Sequence, residues 1–148
     1  MFPKGLILAI LIGAIAGPVV GIILYESDTH EQLVFVDGSS ISILTEKIDF
    51  ELGEEISIRI VNSGTTDLTF SDASYGLEIK QLDGIIIFKP ISAQVISTLS
   101  SHDEIGFVWD QSKNNGEQIL EGRYKITATG VDDNGNTIKK AITVNILK

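Results

Sequence analysis

The chain contains no cysteine, which excludes a disulfide framework, a thiol nucleophile, a thiolate metal site and a lipid-modified N-terminal cysteine. Its core must hold together without covalent help. Histidine is nearly as scarce, with only His30 and His102 among 148 residues, so little imidazole is available for metal binding or proton transfer. Cationic side chains are also few. Setting Lys4 aside, the part from Glu26 onward holds 10 basic and 20 acidic residues, a net of −10. A field of that sign repels phosphate backbones and anionic headgroups, which excludes nucleic acid as an expected partner. No glycine-rich phosphate loop precedes a helix, and no convincing amphipathic helix is present.

One long hydrophobic run is present, at residues 5–25 (GLILAILIGAIAGPVVGIILY), 21 residues without a charge. A helix needs roughly 20 to cross a hydrocarbon core, so residues 1–25 read as a transmembrane anchor. Lys4 precedes the run and Glu26, Asp28 and Glu31 follow it. This charge order favours a cytoplasmic N-terminus and a C-terminal domain outside the cell membrane. Ala14-Ile15-Ala16 has the form of a signal-peptidase site, but the apolar run continues past it, which favours an uncleaved anchor. Lys4-Gly5 also has the form of a pilin-like leader junction. Gly13, Gly17 and Gly21 fall at i, i+4 spacing, a small-residue face that suits an anchor-mediated dimer.

Residues 26–40 read as a tether with a possible first strand at Leu33-Val34-Phe35-Val36, and residues 41–148 as one β-sandwich domain. Alternation is clearest in Ile56-Ser57-Ile58-Arg59-Ile60 and recurs in Leu77-Glu78-Ile79-Lys80, Tyr124-Lys125-Ile126 and Ile142-Thr143-Val144. Between such runs lie Asn62-Ser63-Gly64, Asp83-Gly84, Asn114-Asn115-Gly116 and Asn134-Gly135, pairs and triplets suited to tight turns. Seven to nine antiparallel strands are expected. Gly122-Arg123-Tyr124 at the head of an alternating run has the form of a tyrosine corner, which narrows the sandwich to the immunoglobulin-like kind. Trp109, the single tryptophan, is the candidate central core residue, with Tyr124 beside it as a second structural aromatic.

Across residues 50–134 these features together resemble the BsuPI-like family of intracellular proteinase inhibitors. The resemblance is carried by Ile58-Arg59-Ile60-Val61-Asn62, Leu68-Thr69-Phe70-Ser71, Tyr75, the hairpin around Asp83-Gly84, Trp109-Asp110 and Gly122-Arg123-Tyr124. The family commonly has a tryptophan soon after the Asp-Gly hairpin, where this chain has Phe88, and the anchor is an addition. The resemblance implies an immunoglobulin-like sandwich and a protease as partner; the alternative is an envelope or pilus-associated structural module.

No catalytic constellation is found, so the chain reads as a non-enzyme. Ser100 or Ser101 cannot face the adjacent His102 along an extended strand, and His102-Asp103-Glu104 reads as a solvated turn. Asp132-Asp133-Asn134-Gly135-Asn136 lacks the spaced ligands of a calcium loop and reads as a hairpin turn. No metal or cofactor is expected. Candidate partner contacts are Tyr75, Pro90 and His102, and residues 88–103, the least regular connection, form the candidate protease-binding loop.

Overall fold

The structure, a computed structural model, describes residues 33–148, which fall in the compact unit Glu31–Lys148. The expected anchor, the tether up to residue 32, and His30 lie outside the described residues. Among the described residues no helix is long and apolar enough to cross a membrane.

Among the described residues ten strands form in chain order: β1 (Ile41–Thr45), β2 (Asp49–Glu51), β3 (Ile56–Asn62), β4 (Leu68–Phe70), β5 (Glu78–Gln81), β6 (Ile86–Phe88), β7 (Ser97–Leu99), β8 (Glu104–Trp109), β9 (Gly122–Asp132) and β10 (Thr137–Leu147). The architecture is all-β, a sandwich-like pair of sheets. The smaller sheet has the order β1-β3-β8. In the larger, β2-β10-β9-β4-β7 run side by side, and β5 joins the same edge of β9 and carries β6.

Alternation explains the centre of each sheet. Ile56, Ile58 and Ile60 on β3 are fully buried and sit opposite Trp109, Phe107 and Ile105 of β8. The longest pairing joins β9 and β10, from Val131↔Thr137 to Gly122↔Ile146. Their turn is set by Asp132, whose Oδ1 accepts the backbone N–H groups of Asn134 at 2.9 Å and Asn136 at 2.8 Å. Gly135 supplies a φ of 82° there, a region open to glycine at little cost.

Residues from both sheets meet in one core around Trp109. Its ring is fully buried and lies 6.0 Å from the Tyr124 ring at 69°, an edge-on arrangement. Both polar ends are satisfied. Trp109 Nε1 donates to the Ser112 carbonyl at 2.8 Å, and Tyr124 Oη donates to the Leu120 carbonyl at 2.8 Å, four residues upstream as a tyrosine corner requires.

Three expectations need correction. The strands are not all antiparallel, since the short β2 lies parallel to the end of β10, from Asn145↔Asp49 to Leu147↔Glu51. Ten strands exceed the expected seven to nine because β2, β4, β6 and β7 have three residues each, too short to display a period. Leu33-Val34-Phe35-Val36 forms no strand. Val36 donates one backbone bond to Ser63 at 2.9 Å, while Val34, Phe35 and Val36 remain exposed.

Candidate functional site

On the far edge of the larger sheet, β4 and β5 both run antiparallel to β9, against its end and its beginning respectively. Strands β7 and β6 pair with them in turn. Each file is therefore interrupted at mid-height, one by residues 71–77 and the other by residues 89–96.

Asp72 organises the inner interruption. Its carboxylate is buried and accepts both the hydroxyl and the backbone N–H of Ser74, the latter at 2.9 Å. Those two bonds, with Lys89 Nζ at 3.3 Å, outweigh desolvation and hold the carboxyl below its usual range. Ser92 Oγ lies a long 3.4 Å from the same carboxylate, and Ala73 N–H donates to the Ala93 carbonyl at 3.1 Å. The outer loop is thus tied to the inner one.

Asn114 fastens the start of the outer loop. Its Oδ1 accepts Lys89 N–H at 2.7 Å and its Nδ2 donates to the Lys89 carbonyl at 2.8 Å, so one amide side chain satisfies both polar groups of that residue. Asn114 N–H also donates to the Ile87 carbonyl at 3.0 Å. Next to these clamps the side chain of Ile91 is 99% exposed, and Ile96 is 76% exposed. A tied backbone carrying unpacked aliphatic side chains is suited to insertion into an apolar pocket of a protein partner, because part of the ordering cost is met before binding.

The three candidate contact residues do not come together. Pro90 lies within the clamped loop and is half-buried. Tyr75 adjoins it through the inner interruption, but its ring turns inward, 5.1 Å from Phe70 and 6.4 Å from Phe107, closing the gap between the sheets. Its φ of 52° is uncommon for so bulky a residue. Gly76 follows at a φ of 65°, and a Cβ there would lie 2.0 Å from the Thr129 carbonyl oxygen. That close approach seats the turn on β9.

His102 belongs elsewhere. It is exposed, its ring lies 4.6 Å from that of Phe35, and its N–H donates to the Asn62 carbonyl at 3.0 Å. Ser101 Oγ donates to the Gly64 carbonyl at 2.9 Å. The stretch 88–103, read from the sequence as the least regular connection, contains β7, which splits it into the clamped loop and this separate turn.

Asp72 and Asn114 were not among the sequence candidates. Asp72-Ala73-Ser74 and Asp110-Gln111-Ser112 share an Asp-x-Ser form, and in both the serine hydroxyl and N–H bond back to the aspartate. This repeated form was the available signal. Gln111 is the other buried polar anchor, donating to the Glu51 carbonyl and accepting Gly53 N–H, each at 2.8 Å.

No protein-family model and no curated protein matches the chain. Among solved structures it is similar to Spo0M, a sporulation control protein from Bacillus subtilis, at 12% identity and a TM-score of 0.42. The match covers 76% of this chain and 51% of that one, so the chain spans about half that protein's length. A likeness of this grade carries no argument about function.

Proposed function

We propose that this chain is an immunoglobulin-like protein-binding module, held on the outer face of a cell membrane by its N-terminal span, that engages a protein partner through residues 89–96. The observation that carries this reading is the exposed Ile91 on a backbone fastened by Asp72 and Asn114. Presentation of a tied, exposed loop is also how a proteinase inhibitor would fill a protease cleft, in keeping with the resemblance to the BsuPI-like family. Burial of Trp109 and the Tyr124–Leu120 bond support the immunoglobulin-like form of the sandwich. The net charge of −10 beyond the span favours a protein over a nucleic acid as partner.

The test compares the full chain with a variant in which residues 90–96 are replaced by glycine and serine at equal length, across a broad protease panel. Inhibition by the parent and its loss in the variant, with the melting temperature little changed, is the expected result, since connections tolerate replacement better than strands. No inhibition by the parent moves the reading to the alternative, an envelope or pilus-associated module. Orientation is tested by Asn115→Cys, on an exposed turn: an impermeant thiol reagent should label it on intact cells. Labelling only after lysis would reverse the orientation.

A further inference from the structure

One carboxylate reaches both sides of the exposed Ile91. Asp72 Oδ2 lies 3.3 Å from Lys89 Nζ, two residues before it, and Asp72 Oδ1 accepts Ser92 Oγ at 3.4 Å, one residue after it. Two further ties extend this bracket. Asn114 engages both polar groups of the Lys89 backbone, and the Ala93 carbonyl accepts Ala73 N–H at 3.1 Å. The backbone from Lys89 to Ala93 is therefore held at each end by a different part of the domain, Asn114 before Ile91 and the 71–77 turn after it.

Ile91 itself is left outside the packing. Its side chain is 99% exposed, while Pro90 and Ser92 on either side are half-buried. It projects as a single knob, which a flat surface would cover in part and a pocket would cover whole. Charge narrows the pocket. Residues 90–101 contain no charged side chain, the longest such run beyond Glu26. The charges beside the loop are paired with each other, Lys89 with Asp72 and Lys113 with Glu117 at 3.0 Å. On a domain of net −10, this loop offers its partner an aliphatic side chain and no charge.

We infer that Ile91–Ser92 is the peptide bond offered to a protease, with Ile91 filling an uncharged, aliphatic primary pocket and the bracket retaining both products when the bond is cut. This rests on the protease reading of residues 89–96 proposed above. Cleavage balances as ordinary hydrolysis. The protease nucleophile takes the Ile91 acyl group, the Ser92 nitrogen departs with a proton, and water releases the acyl group as a carboxylate. Neither new end is then free to leave, because Lys89 stays on Asn114 and Asp72 while Ser92 and Ala93 stay on Asp72 and Ala73. The cut loop keeps filling the cleft, and its ends remain close enough to rejoin with loss of water. It inhibits where an untied loop would be consumed.

The test sets the full chain, in zwitterionic nanodiscs, against elastase, whose pocket is small and apolar, and trypsin, whose pocket carries a carboxylate. The parent should inhibit elastase. Ile91→Arg should lose about ten-fold or more there and gain as much against trypsin, the factor that burial of one such side chain supplies. With Ile91 so exposed, this substitution should leave the melting temperature unchanged. In each inhibited complex a slow cut should give a new amino terminus at Ser92, with the two fragments separating only on denaturation. Asp72→Asn should start with the parent's inhibition and lose it with time as its fragments separate; a role in folding alone would lower the melting temperature and leave the inhibition lasting. Lasting inhibition by Asp72→Asn, a cut at another bond, or a protease preference unmoved by Ile91→Arg overturns the inference, and the loop stands as the contact if glycine–serine replacement of residues 90–96 still abolishes inhibition. If neither the parent nor Ile91→Arg inhibits either enzyme, the protease reading falls with it.

Discussion

Gly76→Ala is the sharpest probe of how the clamped loop is seated. Two costs add at this position. The left-handed φ of 65° penalises a residue with a Cβ by roughly 1–2 kcal/mol. The new methyl would also stand 2.0 Å from the Thr129 oxygen, with the Thr129 nitrogen at 2.8 Å and its carbonyl carbon at 2.9 Å. All three are backbone atoms of β9, which is paired with β10 from Gly122 to Val131, so the contact cannot be relieved by a side-chain rotation. Overpacking of this sort costs about 1–3 kcal/mol or more, while reduced freedom of the unfolded chain returns about 0.4–1 kcal/mol. The net loss is about 2–4 kcal/mol, against a whole-domain stability of about 5–15 kcal/mol. Gly84→Ala is the internal control: its φ is 93° and nothing lies within 4 Å of the new Cβ, so its loss should be about 1 kcal/mol or less. Urea melts of the full chain, followed through Trp109 fluorescence, measure both. Equal destabilisation by the two substitutions would refute the close seating of residues 71–77 on β9 and remove the inner support of the loop.

The core aromatics should respond very differently to truncation and to loss of a single atom. Trp109→Ala should cost about 3–5 kcal/mol by opening a cavity, whereas Tyr124→Phe should cost about 1 kcal/mol by leaving the Leu120 carbonyl without its donor; thermal melts give both values, and an unchanged Trp109→Ala melting temperature would place that ring outside the core. Acid should weaken the domain through Asp72. Ser74 first and Lys89 after it hold its carboxyl below the ordinary aspartate value, so between the two pKa values the unfolded chain binds the proton that the folded one does not. That contribution is complete above the unfolded pKa and disappears as pH falls through the folded one. Asp72→Asn should therefore flatten the stability profile below about pH 4, and an unchanged acid limb would mean that Asp72 is not the group that titrates.

Much of the fold was legible because period-2 alternation survives wherever a strand is long enough to show it. Ile56, Ile58 and Ile60 announce β3, and the Asn134-Gly135 turn announces the hairpin of β9 and β10. Three-residue strands carry no such signal. Strand β7 is fixed by the pairing of Ser97 with Phe70 and Leu99 with Leu68, contacts that depend on where β4 already lies. The same holds for β2, which pairs in parallel with the end of β10, nearly a hundred residues away.

The clamped loop was only half legible, and the reason is physical. Pro90 marks an edge or a loop from local backbone chemistry alone, and Asp-x-Ser marks a turn in the same way. The clamp itself is tertiary: Asn114 reaches Lys89 across 25 residues, and Asp72 reaches Lys89 across 17. Exposure is hidden more deeply still. Ile91, Val95 and Ile96 have the side chains of core residues, and in a strand they would be counted toward the buried face. They stand in solvent because the loop crosses the outer edge of the sheet, beyond β5 and β4, where no further strand among the described residues covers it. Composition specifies which side chains prefer to be buried. Only the order of strands decides which ones find room, and an aliphatic side chain left outside on a tied backbone retains apolar surface that burial against another protein can still satisfy.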